Sequence, residues 1–162
     1  MRVAIIMGST SDLKKVEPAI GILKDFGVAV DVRCLSAHRA HVELSEFIEE
    51  CNNNGCEAII AAAGMAAALP GVVASQTVLP VIGVPLSGAV LDGLDALMSI
   101  VQMPSGIPVA TVAINGSKNA AYLALQILGT SHKEIKEKLL AHRVQMHEDA
   151  KKTNEEMIEK YK

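Results

Sequence analysis

The chain has 162 residues, half of them apolar and a fifth charged, with 15 Lys and Arg against 18 Asp and Glu for a formal net charge of -3. That is one domain's worth of chain, and near-cancelling charge with two Phe, two Tyr and no Trp supplies neither the basic patch nor the stacking aromatics of a nucleic-acid binder. Mean hydropathy is positive at +0.31, but the longest apolar stretch, residues 58–74, is interrupted by Gly64, Pro70 and Gly71 and predicts no membrane span.

Apolar runs of strand length alternate with segments of helical period, which predicts an α/β fold with a parallel sheet between two helical layers. The first strand is residues 3–7, followed by the polar loop Gly8-Ser9-Thr10-Ser11-Asp12 and a helix carrying Leu13, Val16, Ile20 and Leu23 on one face and ending at Gly27. Pro18 either kinks that helix or marks its true first turn. Residues 28–35 alternate as a second strand, and Ser36-Ala37-His38-Arg39 leads into a helix bearing Leu44, Phe47, Ile48 and Cys51. Three further strands are expected at 58–62, 81–84 and 109–114, each buried on both faces, with helices at about 66–77, 91–102 and 119–128.

From Ser131 the composition turns to Lys, Glu, His and Gln, with a thin apolar stripe at Ile135, Leu139, Val144 and Met146. The division is therefore an α/β domain over 1–130 and a helical extension over 131–162, expected to lie across a neighbouring subunit rather than to add to this core. The run after Met1 and Arg2 is too short for a leader's apolar core, so a cytoplasmic protein is expected. Cys34, Cys51 and Cys56 are odd in number, lack metal-ligand spacing and read as buried small hydrophobes.

Ligands of open parallel sheets bind where loops converge beyond the carboxyl ends of the strands. Five such loops lie at that edge, 8–12, 36–39, 62–64, 85–88 and 115–119, and all but 62–64 carry Ser or Thr. Together they suit a phosphorylated small molecule. Ser9 and Ser11 offer hydroxyls, Arg39 a bidentate charged contact, and Asp12 either a helix cap or an acceptor for sugar hydroxyls. His38 follows a strand end, where an imidazole exchanges protons near neutral pH. His41 is expected to be structural, on a helix face with Leu44, and His132, His142 and His147 to be solvated. Around Gly64, residues 61–71 present a wall almost without side chains, suited to close packing or to close approach of a flat ligand. Neither GxxxxGK[ST] nor GxGxxG follows the first strand, and no histidine pair has metal-ligand context, so no cofactor and no metal are expected.

With these loops laid out, residues 3–129 resemble the PurE family, and within it the class I N5-carboxyaminoimidazole ribonucleotide mutases of purine biosynthesis. The resemblance rests on Met7-Gly8-Ser9-Thr10-Ser11-Asp12, Ser36-Ala37-His38-Arg39, Leu79-Pro80-Val81-Ile82-Gly83-Val84-Pro85, and Gly93-Leu94-Asp95-Ala96-Leu97 running into Ser99-Ile100-Val101-Gln102-Met103-Pro104. It implies a flavodoxin-like three-layer subunit in a homo-octamer with sites at subunit junctions. It further implies that Ser9, Asp12 and Arg39 bind the phosphate and ribose of the aminoimidazole ribonucleotide, that Ser36 supports them, that His38 is the acid/base, and that the wall around Gly64 confines the CO2 or carboxylate; Ser11 joins the binding residues on its loop hydroxyl alone. No cofactor is implied, and a separate ATP-dependent carboxylating enzyme would act upstream. Two departures stand out. Ala68 replaces the histidine usual in the third loop, and Ala40 and His41 replace the usual Thr-Pro. Class II carboxylases, which take CO2 directly, also lack that histidine but typically carry Lys at the position of Arg39. A direct carboxylase and a non-catalytic ribonucleotide binder are the alternatives.

Overall fold

Five consecutive apolar residues give β1 (Arg2–Met7) its central place, and all five are buried. Strand periodicity sends Val3, Ile5 and Met7 to one layer and Ala4 and Ile6 to the other. A computed structural model describes residues 1–88 and 90–162. In it β1 pairs in parallel with β2 (Ala29–Cys34) and β3 (Ala58–Gly64), β3 with β4 (Val81–Leu86), and β4 with β5 (Ala110–Thr111). The order β2-β1-β3-β4-β5 reverses direction between β1 and β3, which opens a crevice at their carboxyl ends.

Helices cover both faces, as the alternation predicts. On one face α1 (Leu13–Asp25) and α5 (Ser117–Leu128) pack Val16, Leu23, Ala120 and Leu125 against Ile5, Ile60 and Val84. The other face receives Leu44 and Ile48 of α2 (His41–Asn53), Val73 of α3 (Leu69–Ala74) and Ile100 of α4 (Leu94–Val101). Small residues set the layer spacing. A Cβ on Gly83 would stand 2.5 Å from Ile100 Cγ2 and 2.8 Å from Val109 Cγ1, so β4 admits α4 only through glycine there.

The structure corrects several expectations. The fifth strand shrinks from six predicted residues to Ala110–Thr111, exposed and half-buried rather than covered on both faces. It is an edge strand with one neighbour, although Val112 N still donates to Gly83 O and Asn115 N to Pro85 O. The opposite edge is β2, and there Cys34 is exposed, while Cys51 and Cys56 are buried as expected. Helix α1 passes through Pro18, which lies in its second turn rather than its first, so the carbonyl of Lys14 has no i+4 donor. The third and fourth helices are shorter than their predicted windows, since both are entered through loops with left-handed residues, Met65 and Ala67 before α3 and Asp92 and Gly93 before α4.

The terminal helix α6 (Lys133–Lys160) does add to the core of its own subunit. Ile135 is fully buried and Leu139 packs beside it, while Val144 and Met146 are exposed. Nor are the histidines of the C-terminal segment all solvated. His132 Nε2 meets both Glu57 carboxylate oxygens at 2.8 and 2.9 Å, and the His142 ring stacks on Tyr122 at 4.9 Å. His147 is exposed as expected. The prediction failed for the first two because their partners are distant in sequence.

Candidate active site

The loops after β1, β2, β3 and β4 enclose a cleft of about 510 Å³ at the switch point. All seven residues singled out from the sequence line it: Ser9, Ser11, Asp12, Ser36, His38, Arg39 and Gly64. The fifth loop stays apart, bordering a separate hollow with Lys14, Lys15 and Pro18.

The first loop is held by its own hydroxyls. Ser9 has extended backbone, and its Oγ accepts from Ser11 N at 3.3 Å and lies 2.8 Å from Ser11 Oγ. It thereby caps the 3-10 turn Thr10–Asp12. Asp12, expected as a possible cap, precedes α1 without a capping hydrogen bond, so its carboxylate is left for the cleft. Burial pushes that carboxyl above its ordinary value, against the opposing pull of the Lys15 ammonium and of hydrogen bonds from Ser9 and Ser11.

The second loop is a turn in which Arg39 N and Ala40 N both donate to Ser36 O. Arg39 Nε also reaches Ser36 Oγ at 3.4 Å, a long contact that leaves most of the guanidinium's donors for an anion. His38 and Arg39 are exposed, and among the described residues His38 makes no side-chain hydrogen bond. Its ring is thus presented to solvent at the cleft rather than packed. His41 is exposed at the first position of α2 and does not line the cleft, in contrast to the packed role expected for it.

The third loop contributes no polar side chain. Ala63, Gly64, Met65, Ala66, Ala67, Ala68 and Leu69 all line the cleft. A Cβ on Gly64 would stand 3.3 Å from Leu86 O, so the wall is bare partly because β3 and β4 end close together. Ala68 stands in the helical region just before α3, and its methyl is the only side-chain surface that position offers.

Ser87 and Gly88 complete the lining and were not among the predicted binding residues, although their loop was noted. Their placement depends on contacts distant in sequence. Lys15 Nζ donates to Ser87 O at 2.6 Å, Ser87 N donates to Asn115 Oδ1 at 3.0 Å, and Asn115 Nδ2 donates to Ser87 Oγ at 2.8 Å. Only the left-handed Asn115, at φ +57, hints at this in the sequence, since Asn tolerates that conformation. Among the described residues no three His, Cys, Asp or Glu side chains are arranged to hold a metal ion, and no helix is long and apolar enough to cross a membrane.

Comparison with known proteins follows the same outline. The model of the AIR carboxylase family matches residues 2–149. The N5-carboxyaminoimidazole ribonucleotide mutase of Pyrococcus horikoshii is 53% identical over 163 aligned residues, spanning 98% of this chain and 92% of that one. The phosphoribosylaminoimidazole carboxylase of Saccharomyces cerevisiae is 57% identical over 127 residues, 78% of this chain but 22% of that longer one. The crystal structure of Treponema denticola PurE superposes with a TM-score of 0.83 at 32% identity, covering 95% of this chain and 94% of that one.

Proposed function

The chain belongs to the AIR carboxylase family, and on that premise we propose that it converts N5-carboxyaminoimidazole ribonucleotide to 4-carboxy-5-aminoimidazole ribonucleotide. The observation that carries this reading is the cleft's division of labour. Hydroxyls and a guanidinium come from the β1 and β2 loops, one unpacked imidazole sits among them, and an apolar wall faces them from the β3 loop.

In this reading Ser9, Ser11 and Arg39 hold the phosphate by charge-assisted and hydroxyl hydrogen bonds, Asp12 accepts from the ribose, and Ser36 steadies Arg39. Protonated His38 gives its proton to the exocyclic nitrogen as the bond from that nitrogen to the carboxyl carbon breaks. The bonding electrons stay on nitrogen, and CO2 is released. Ring carbon C4, nucleophilic because the amino nitrogen feeds electrons into it, then attacks the CO2 carbon. The C4 proton returns to His38, so no proton is gained or lost over the cycle. The Gly64 wall holds CO2 between the two steps. No ATP, biotin or metal is needed, because the carboxyl group arrives already activated on nitrogen.

The homo-octamer, with the terminal helix over a neighbour, belongs to this proposal too. Leu94, Met98 and Val101 form an exposed apolar stripe on α4, and Leu140, Val144, Met157 and Ile158 are exposed on α6. Soluble monomers rarely leave such surface uncovered. The cytoplasm is the compartment that suits a step supplied by an ATP-dependent carboxylating enzyme upstream.

A direct CO2-dependent carboxylase is the second reading. It is favoured by the alanine at Ala68 and by the likeness to the yeast phosphoribosylaminoimidazole carboxylase. The test is turnover by the purified chain of the N-carboxylated ribonucleotide and, separately, of aminoimidazole ribonucleotide with bicarbonate. Conversion of the first supports the proposal. Binding of ribonucleotide without conversion of either overturns it in favour of a non-catalytic relative.

A further inference from the structure

Met65 stands where physical chemistry would not ordinarily put a methionine. It is the first central residue of the turn closed by Ala67 N donating to Gly64 O, and its φ is +56, a left-handed value that strains any residue with a Cβ. The residue is 68% exposed and lines the cleft. The backbone is therefore strained to present a large apolar group to solvent, and glycine would relieve both costs. Among the described residues of this wall, Ala66, Ala67 and Ala68 supply nothing longer than a methyl and Leu69 is buried, which leaves Met65 as the long, flexible side chain exposed there.

We propose that Met65 is the residue that retains CO2. With ribonucleotide bound, its unbranched thioether folds over the apolar wall of Ala63, Ala66, Ala67, Ala68 and Leu69 and excludes water from the reacting carboxyl carbon. The inference rests on the carboxyl-transfer reading given above. Its physical basis is that CO2 is small, uncharged and apolar, so no charged or hydrogen-bonding group grips it strongly. It stays only if its escape route is covered. Methionine, with three rotatable side-chain bonds and a polarizable sulfur, conforms to such a gap better than a branched residue. Closure also dries the site, which favours passage of a carboxylate into neutral CO2.

Met65→Gly and Met65→Leu separate this role from a structural one. The glycine variant is expected to keep or raise the thermal midpoint, because it removes strain, yet to release several-fold more of a carboxyl-labelled substrate as free CO2 and aminoimidazole ribonucleotide. Leucine, which keeps the apolar bulk, should restore most of the retention. In protein labelled at methionine methyl groups, the resonance missing from Met65→Leu should shift on addition of aminoimidazole ribonucleotide. Unchanged release by Met65→Gly, or a methyl resonance that ignores the ribonucleotide, overturns the proposal. Loss of assembly size with unchanged release also overturns it, placing Met65 at a contact between subunits. If the wild-type chain converts neither donor, the carboxyl-transfer reading fails, and the methyl resonance alone still decides whether Met65 closes over a bound ribonucleotide.

Discussion

Asn115 holds Ser87 by two hydrogen bonds, its Oδ1 accepting from Ser87 N at 3.0 Å and its Nδ2 donating to Ser87 Oγ at 2.8 Å. A loop outside the cleft thereby fixes part of the cleft's rim. Asn115→Ala loses both bonds and keeps a left-handed residue with a Cβ, a strain of about 1–2 kcal/mol. Asn115→Gly loses the bonds alone. Both variants should raise KM for the ribonucleotide several-fold with a smaller change in kcat, and the alanine variant should melt lower than the glycine one. Steady-state kinetics and thermal melts check this.

His38 is presented to solvent without a packing role, so His38→Asn should leave stability and ribonucleotide binding nearly intact. Turnover should fall about 10²- to 10⁴-fold, the usual cost of losing a general acid/base. Near-normal turnover would remove His38 from the mechanism. Arg39→Ala should instead weaken ribonucleotide affinity first, as measured by calorimetry.

Asp12 carries a stability cost that depends on pH. Its carboxyl is raised by burial, so the folded protein binds that proton more tightly than the unfolded chain does. The resulting stabilisation is fully present below the ordinary aspartate value of 3.8 and is lost as pH rises through the higher folded-state value. Asp12→Asn, which cannot ionise, should therefore gain in thermal midpoint on the wild type as pH is raised from below that value to neutrality. Affinity for the ribonucleotide should fall meanwhile. Melts across pH test the sign, and a variant that instead loses ground toward neutral pH contradicts it.

Much of this architecture was legible in the sequence because it is local. The continuous apolar runs at 3–7 and 58–62 reflect burial on both faces of central strands, and the Ser, His and Arg loops follow strand ends directly. Residues 109–114 misled for a physical reason: they are apolar enough for a central strand but lie at the edge, where one neighbour suffices. Ile135 and Leu139 show an apolar stripe equally suited to a neighbour or to their own subunit, and periodicity does not say which. Glu57 with His132, 75 residues apart, and Ser87 with Asn115, 28 apart, are pairs that only folding brings together. The seven candidate residues that line the cleft were legible because each sits on a loop of distinctive composition, whereas Ser87 is positioned by contacts distant in sequence.

Assembly should depend on the apolar stripe of α4. Placing a charge at its centre, Met98→Lys, should reduce an octamer to smaller species in light scattering without unfolding the subunit, since Met98 is half exposed in the isolated chain. A wild-type protein that remains monomeric at micromolar concentration would contradict the octamer outright.

The central claim is that the carboxyl group of a bound substrate leaves as CO2 and is recaptured at C4 before it escapes the cleft. The direct measurement supplies N5-carboxyaminoimidazole ribonucleotide labelled in its carboxyl carbon, in buffer depleted of CO2, and follows the label. The account predicts that product forms and that most of the label appears in its C4 carboxylate. Product that forms only when CO2 or bicarbonate is added, and then without the label, would contradict recapture of the substrate's own CO2 and establish the direct carboxylase in its place.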